Sequence, residues 1–400
     1  MRVAYFRATV LEHACGIENY FIEAASGLKK RYDDIDISMV TLDDSWYRRF
    51  VLIVSVYYLG LSKGKRRKPV YRETSEEIEK SLYPVPYVKC GSFARLRKEL
   101  QTYDLVYTSN ELLDLLVMRL LGTRNMPPVI VGVHTPPRYP YAPSLQARLH
   151  NKVFSSFFYR RLLDVSKALH AVNWDDYRRF ADRNSYLIFY PFYVDCESPV
   201  VGNKSEEMHL LFAGRLMEQK GPDVLVSIIG ELSKLDSFRS FRFKIAGDGE
   251  THLREILEDC AAKHDNVEYL GHVPSEEMGE IYEWTDIVLI PSRYETFSLV
   301  ALEAAAAGKV AIASDIPGLR DEIVDHETGF LVSLDPPAFA QKISDLHMYR
   351  GQEKEGFAGL GRKAKAFAGE KFNPQRVFTE LYTMFESEHM SPRGSRPAGS

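Results

Sequence analysis

Two glutamates, Glu295 and Glu303, stand eight residues apart on either side of the start of a predicted helix. Glu295 falls in a turn, and Glu303 falls inside the Ala- and Leu-rich stretch at 298–307. A carboxylate can accept two hydrogen bonds from neighbouring hydroxyls, such as those of a ribose or a hexose. An isolated pair with this spacing is also consistent with a loop charge and a solvated helix residue. The surrounding segments must therefore decide between these interpretations.

Those segments predict a strand, a turn, a helix and a second strand. Residues 286–290 and 309–313 are short apolar runs rich in β-branched residues, which predict buried strands. Residues 298–307 are strong helix formers, and Gly308 ends the helix. Ligands bind at the carboxyl ends of strands in open α/β sheets, and a helix N-terminus favours phosphate. The turn after residue 290 is therefore the predicted ligand-binding edge.

The stretch 294–318, Y-E-T-F-S-L-V-A-L-E-A-A-A-A-G-K-V-A-I-A-S-D-I-P-G, resembles the donor-site signature of the large retaining glycosyltransferase family 4. The resemblance continues through E-I-V-D-H-E-T-G-F-L-V at 322–332. It implies an α/β chain with the GT-B fold: two Rossmann-like, doubly wound parallel-sheet domains facing a cleft, with a C-terminal helix crossing back to the first domain. The implied reaction moves a hexose from a UDP- or GDP-sugar to a hydroxyl acceptor with retained anomeric configuration.

The resemblance also implies roles for residues of the second half. Glu303 would hold the ribose, and Glu295 would hold hydroxyls of the transferred sugar. The backbone N–H groups at the start of the helix would bind the phosphate or the sugar. These N–H groups belong to Phe297, Ser298 and Leu299.

Residues 214–221, G-R-L-M-E-Q-K-G, resemble the family's loop in which an arginine and a lysine hold the donor diphosphate. Here these are Arg215 and Lys220, and a solvated charged turn is the alternative. Negative charge develops on the leaving oxygen when a sugar–phosphate bond breaks, and fixed cations stabilise that charge. The resemblance further implies donor contacts at the Gly247 turn and at Val273, a strand end where backbone groups meet the nucleobase.

In the first half the resemblance rests on the order of elements and on two residues. Gly16 follows the first predicted strand, where the family usually has two adjacent glycines; Cys15 replaces the first of them. His134 ends a predicted strand, and in the family a histidine here contacts the donor sugar. An ordinary turn glycine and a turn-capping histidine are the alternatives.

The order of predicted elements also indicates domain limits. We predict an N-terminal acceptor-binding domain at 1–197, a nucleotide-sugar-binding domain at 205–372, a crossover helix at 373–388 and a disordered tail at 390–400. Residues 144–163 are predicted to form one helix, and its apolar stripe is predicted to be core. That stripe consists of Phe154, Phe157, Phe158, Leu162 and Leu163.

Composition narrows the classes of partner. The net charge is −4, with the basic excess confined to the first half, which fits an anionic ligand or surface. No basic helix with base-reading geometry is evident, so nucleic acid is not expected. The four cysteines are scattered, and no Asp-x-Asp or His/Asp cluster indicates a divalent ion. We expect neither a metal nor a cofactor beyond the nucleotide sugar.

Residues 46–68 combine an apolar stretch with a following basic cluster and are too short to span a bilayer. They are suited to peripheral contact with an anionic membrane; a buried helix followed by a solvated loop is the alternative. This favours a lipid-linked or phosphorylated acceptor, and a soluble sugar or polysaccharide is the alternative. The chain begins with a predicted strand and not a signal peptide, so we expect a cytoplasmic protein, peripheral on the inner membrane face if 46–68 binds lipid.

Two hypotheses from other classes remain. The chain could be a non-catalytic GT-B subunit that binds a nucleotide and stabilises a partner, but such a subunit would be expected to have lost Arg215, Lys220 or Glu303. An isomerase on the same fold, such as a nucleotide-sugar 2-epimerase, would turn over the donor without an acceptor. The spacing and context of the two glutamates disfavour it.

Overall fold

The computed structural model describes residues 1–8, 16–43, 84–122, 124–139, 141, 145–190, 206–274 and 276–391. The predicted membrane-contact segment at 46–68, Cys15 and most of the predicted tail lie outside these ranges. The chain divides into two compact units. The first contains residues 1–138, 143–191 and 374–400, and the second contains residues 139–142 and 192–373.

The described part of the first unit contains a seven-stranded parallel sheet with the order β3-β2-β1-β4-β5-β6-β7. Its strands are β1 (Arg2–Arg7), β2 (Asp36–Leu42), β3 (Tyr87–Cys90), β4 (Leu105–Ser109), β5 (Val129–Val133), β6 (Ala168–Ala171) and β7 (Ser185–Leu187). The helices between them are α1 (Gly16–Arg31), α2 (Phe93–Leu100), α3 (Leu112–Leu121), α4 (Leu145–Phe154), α5 (Phe157–Leu162) and α6 (Trp174–Arg179). The order reverses between β1 and β4, as it does in doubly wound sheets.

The prediction of one helix at 144–163 is wrong, because the chain forms two helices, α4 and α5. Ser156 begins the second one: its hydroxyl accepts a hydrogen bond from the Tyr159 N–H, which caps α5. The break leaves Phe157 73% and Phe158 55% exposed. The predicted apolar stripe is therefore only partly core. Its buried members are Phe154, Leu162 and Leu163.

The described part of the second unit contains a six-stranded parallel sheet with the order β10-β9-β8-β11-β12-β13. Its strands are β8 (Met208–Ala213), β9 (Phe241–Ala246), β10 (Val267–Gly271), β11 (Ile287–Ile290), β12 (Val310–Ser314) and β13 (Gly329–Val332). Its helices are α7 (Pro222–Leu232), α8 (Thr251–Lys263), α9 (Met278–Trp284), α10 (Leu299–Ala306), α11 (Leu319–Glu322), α12 (Pro336–Gln352) and α13 (Lys354–Lys371). The order reverses between β8 and β11, so a ligand crevice is expected beyond their carboxyl ends.

Burial explains why these segments form central parallel strands. Every residue of β11 and β12 is buried, as expected for strands that helices cover on both faces. Apolar clusters pack against the second sheet, and α10 contributes Ala301 and Ala304 to one of them. The prediction of two Rossmann-like, doubly wound parallel sheets is confirmed.

The last helix, α14 (Pro374–Met390), belongs to the first unit. The guanidinium of Arg31, at the end of α1, lies 4.3 Å from the centre of the Phe378 ring. Near the other end of α14, the buried Glu388 accepts hydrogen bonds of 2.7 Å from both Asn184 and Tyr186. These contacts attach α14 to α1 at one end and to the β7 edge at the other.

Candidate functional site

Two loops of the second unit meet at the carboxyl ends of β8 and β11. We call residues 214–221 the cation loop and residues 291–298 the donor turn. The Arg293 N–H donates to the Gln219 oxygen at 2.7 Å, and Gln219 Nε2 donates to the Tyr294 oxygen at 3.1 Å. The Arg293 guanidinium also makes a bidentate ion pair with Asp223, with distances of 2.8 and 2.6 Å. These contacts join the two loops into one surface.

The predicted catalytic residues Lys220 and Glu295 are brought together by this junction. Lys220 Nζ lies 2.6 Å from Glu295 Oε1, which also accepts a 2.8 Å hydrogen bond from the Ser292 hydroxyl. The Glu295 side chain is 3% exposed, whereas that of Lys220 is 21% exposed. A small pocket lies here, lined by Phe212, Ala213, Lys220, Leu289, Ile290, Ser292, Glu295, Ser298 and Val300. Lys220 is therefore the more accessible partner of a largely desolvated ion pair.

Two glycines with positive φ allow the chain to approach the donor turn closely. A Cβ on Gly221 (φ +72°) would lie 2.1 Å from the Pro291 oxygen. A Cβ on Gly318 (φ +88°) would lie 2.7 Å from the Glu295 oxygen. Because both contacts are with backbone atoms, no side-chain movement could relieve them, and glycine is required at both positions.

Glu303, the second predicted carboxylate, projects from α10 toward α9. Its Oε2 accepts a 2.6 Å hydrogen bond from the Tyr282 hydroxyl. Burial raises the pKa of Glu303, whereas the hydrogen bond from Tyr282 and the charge of Lys220 act to lower it. Burial also raises the pKa of Tyr282 well above its usual value, so Tyr282 keeps its proton and is the donor. Tyr282 could not be recognised from the sequence, because no spacing pattern connects it with Glu303.

The predicted N–H donors lie at the start of α10, and one of them already has a partner. Ser298 caps the helix through its side chain, which accepts from the Ala301 N–H, while the Ser298 N–H donates to Glu322 Oε1 at 2.6 Å. The Phe297 ring is buried and packs edge-on against Phe372, with ring centres 5.6 Å apart. Leu299 is the first residue of the helix. The Ser298 N–H, one of the groups predicted to bind a ligand at this turn, is therefore already hydrogen-bonded to a protein carboxyl group.

The remaining predicted donor residues lie along the same edge of the second sheet. Arg215 is exposed, and its side chain makes no hydrogen bond or ion pair with the described residues. Gly247 follows β9; its N–H donates to the Gly271 oxygen at 2.7 Å, and its oxygen accepts from the Tyr269 hydroxyl at 3.0 Å. Val273 follows β10, and its side chain packs on the core. Arg215 is thus a cation available to an anionic ligand.

His134 lies just beyond β5 in the first unit, where a buried chain of hydrogen bonds engages both of its ring nitrogens. Its Nε2 is 2.8 Å from the Tyr107 hydroxyl, and its Nδ1 is 3.1 Å from the Tyr190 hydroxyl. The Tyr107 hydroxyl is also 2.7 Å from His170 Nδ1, and His170 Nε2 is 2.8 Å from the Ile188 oxygen. Because a carbonyl oxygen only accepts, His170 carries its proton on Nε2 and accepts from Tyr107.

The protonation state of this chain follows from burial. Burial lowers the pKa of His134 well below its usual value and lowers the pKa of His170 to about 4, so both rings are neutral at neutral pH. Tyr107 donates to His170, so His134 donates from Nε2 to Tyr107 and accepts from Tyr190 at Nδ1. In this arrangement both ring nitrogens of His134 are therefore occupied, and neither is available for the predicted contact with a sugar. Gly16 is the first residue of α1, next to a segment outside the described ranges.

The described residues contain no group of three or more His, Cys, Asp and Glu side chains placed to hold a metal ion. Cys90 and Cys260 are buried free thiols. Arg215 and the Lys220–Glu295 pair are among the charged groups at the described carboxyl edge of the second sheet.

Comparison with known proteins identifies relatives of part of the chain. Residues 207–348, which include both loops and α10, match the family model described as glycosyl transferases group 1. A D-inositol 3-phosphate glycosyltransferase of Paenarthrobacter aurescens is 32% identical over 214 residues, 52% of this chain and 51% of that protein. An uncharacterized 41.2 kDa protein in the cps region of Klebsiella pneumoniae is 30% identical over 186 residues, 46% of this chain and 48% of that protein. The chain spans about half the length of the curated relatives it matches.

Solved structures resemble the fold over nearly the whole chain. Anabaena Alr3699/HepE, solved in complex with UDP and glucose, matches with a TM-score of 0.69 and 16% identity over 97% of this chain and 100% of that one. A sucrose-phosphate synthase from Thermosynechococcus elongatus matches with a TM-score of 0.66 and 20% identity over 96% of this chain and 98% of that one. At such identities the likeness concerns the fold.

Proposed function

We propose that this chain is a group 1 glycosyltransferase that moves a hexose from a nucleotide-diphosphate sugar to a hydroxyl acceptor, with retention of anomeric configuration as in family 4. The observation that carries the proposal is the Lys220–Glu295 pair, which lies at the carboxyl ends of β8 and β11 within the segment that matches the family model. A cation beside a carboxylate at such a switch point can bind a diphosphate and sugar hydroxyls side by side.

In this proposal the protein supplies charge and position. Lys220 and Arg215 stabilise the negative charge that develops on the leaving diphosphate, so no metal ion is required. Glu295 accepts from hydroxyls of the transferred sugar through its second carboxylate oxygen, because Oε1 already accepts from Lys220 and Ser292. Glu303 accepts from the ribose hydroxyls, while Tyr282 holds one of its oxygens.

Retention follows, in this proposal, from attack on the same face of the sugar that the leaving group departs from. The acceptor hydroxyl attacks the anomeric carbon as its bond to the diphosphate breaks, and the departing phosphate oxygen takes the acceptor's proton. No side chain becomes covalently attached to the sugar. The rate then comes from holding donor and acceptor in place and from the fixed cations.

The nucleotide is UDP or GDP, and UDP is the first to test. The Anabaena protein of the same fold has been solved with UDP and with UDP-glucose. The acceptor is proposed to be lipid-linked or phosphorylated and reached at the cytoplasmic membrane face, because basic residues are in excess in the first half. The named relative from Paenarthrobacter acts on a phosphorylated acceptor, D-inositol 3-phosphate. Within the described ranges no helix combines the length and the apolar character needed to cross a membrane.

The first test is thermal stabilisation of the protein by UDP, GDP, ADP and their sugar conjugates, with and without a chelator. We expect one nucleoside diphosphate to raise the melting temperature equally in both conditions. Glu303→Ala should weaken this effect, whereas Glu255→Ala, a change at an exposed position of α8, should not. If no nucleotide stabilises the wild type, the proposed function is wrong.

A further inference from the structure

Glu322, the last residue of α11, is a buried acid with an unusual environment. It is 2% exposed. Its Oε1 accepts the 2.6 Å hydrogen bond from the Ser298 N–H, and its Oε2 is buried with no hydrogen-bond partner among the described residues. Most buried carboxylates are paired with cations or accept several hydrogen bonds, because burying an isolated charge is costly. Among the described residues, the Glu322 carboxyl group has a single hydrogen-bond partner.

The groups that face Glu322 disfavour its ionised form. Burial raises the pKa of Glu322 well above its usual value, and the charges of Glu295 and Asp321 raise it further. The Ser298 N–H and Lys220 act in the opposite direction, but Lys220 Nζ is already paired with Glu295. On α13, the Lys371 ammonium donates to the main-chain oxygen of Asp321. These surroundings shift Glu322 toward its protonated, uncharged form.

The segment 318–322 touches the donor turn at two points. Gly318 packs against the main-chain oxygen of Glu295, and Glu322 holds the Ser298 amide three residues further along the turn. These contacts determine both the place of the Glu295 backbone and the start of α10. The approach of Gly318 is steric, whereas the contact of Glu322 is a hydrogen bond that a substitution can remove selectively.

We propose that Glu322 is a positioning residue of the donor site, whose carboxyl group holds the Ser298 amide and thereby sets the place of Glu295 and the start of α10. An uncharged acid can do this without adding a second negative charge beside Glu295 and a bound diphosphate. This inference rests on the proposed function, because the positions of these groups matter to a nucleotide sugar bound at the donor turn.

Two variants distinguish the effect of the shape of the Glu322 side chain from the effect of its hydrogen bond with the Ser298 N–H. Glu322→Gln keeps the side-chain shape and the acceptor oxygen, and it is uncharged at every pH. Glu322→Leu fills a similar volume and leaves the Ser298 N–H buried without a partner. We expect Glu322→Gln to bind UDP within about threefold of the wild type at pH 7. We expect Glu322→Leu to lose about tenfold or more, a change of about 1.4 kcal/mol per factor of ten.

Two measurements on the ligand-free protein test the inference without relying on the donor. Amide hydrogen exchange at Ser298 should be fast in Glu322→Leu and slow in the wild type and in Glu322→Gln. Infrared spectroscopy at pH 7 should show a protonated-carboxyl band in the wild type that is missing from Glu322→Gln.

Each outcome has a defined meaning. Wild-type affinity for UDP in Glu322→Leu, or unchanged exchange at Ser298, would overturn the positioning role. The absence of a protonated-carboxyl band would overturn the uncharged state. Failure of the wild type to bind any nucleotide would instead overturn the proposed function, and the exchange and infrared results would still decide how Glu322 holds the turn.

Discussion

Lys220 Nζ and Glu295 Oε1 lie 2.6 Å apart, although 75 positions separate the two residues in the sequence. The contact joins the loop after β8 to the loop after β11, so it forms only when the two central strands of the second sheet are paired. Glu295 is nearly inaccessible, and removal of Lys220 would leave its charge buried. The Lys220–Glu295 ion pair therefore offsets the cost of burying the Glu295 charge.

We expect Lys220→Met to destabilise the protein by about 3 kcal/mol, because it leaves the buried Glu295 carboxyl group without its cationic partner. Adding Glu295→Gln should recover a large part of that loss, which gives a coupling energy of about 2 kcal/mol. The measurement is chemical denaturation of the four proteins of a double-mutant cycle. The exposed pair Lys234–Glu231 is the matched control, and its coupling should stay below about 1 kcal/mol. Equal coupling in the two pairs would contradict the prediction.

Tyr282→Phe should change the pH dependence of UDP binding. Glu303 must be ionised to accept from two ribose hydroxyls, so binding is present above the pKa of Glu303 and is lost as the pH falls through it. The hydrogen bond from Tyr282 lowers that pKa, so its removal should move the acidic loss of affinity to higher pH. Calorimetric titration with UDP between pH 4.5 and 8 would measure the shift. Tyr349→Phe, on α12, is the control. An unchanged pH dependence of UDP affinity in Tyr282→Phe would show that the prediction is wrong.

Gly221→Ala should disrupt the junction between the cation loop and the donor turn. The new Cβ would meet the Pro291 oxygen at 2.1 Å, and the backbone has φ +72°. We expect a loss of at least about 2 kcal/mol in the free energy of unfolding and a loss of UDP binding. Gly230→Ala is the matched control, because Gly230 lies inside α7 with open space around it. That change should be neutral or stabilise by up to about 1 kcal/mol. Equal stability of the two variants would argue against a tight junction.

The buried histidines should make the first unit sensitive to acid. In the unfolded chain His170 titrates near pH 6.5, whereas in the folded chain its pKa is about 4. The unfolded state therefore binds more protons, and the stability contributed by His170 is full above pH 6.5 and falls by about 3 kcal/mol as the pH drops to 4. Amide hydrogen exchange in β5 between pH 7.5 and 4, corrected for intrinsic rates, would report this loss. His170→Asn should flatten the dependence, and His252→Asn, at an exposed position, should leave it unchanged.

Much of the fold was predictable because local patterns specify central parallel strands and their helices. The run Ile287–Ile290 is apolar throughout, and in the structure all of it is buried. Ser298 is a helix-capping residue that does cap α10, and Gly308 follows its end with φ +67°. The break between α4 and α5 was not predicted, because two serines in an otherwise helical pattern are a weak signal until the Ser156 cap is seen. Strand β3 carries no comparable signal in the sequence, since four residues show little periodicity.

The two parallel sheets, the helix after the donor turn and the residue types at the strand ends could be inferred from the sequence, because these features depend on neighbours a few positions apart. The pairing of buried polar groups depends instead on the packing of the folded chain. That packing paired Lys220 with Glu295, joined Tyr282 to Glu303, and turned His134 toward Tyr107. It also placed Glu322 on the Ser298 amide. Such pairs form between elements far apart in the chain, where buried polar groups take whichever partners packing brings within hydrogen-bond distance, and no spacing in a sequence encodes that distance.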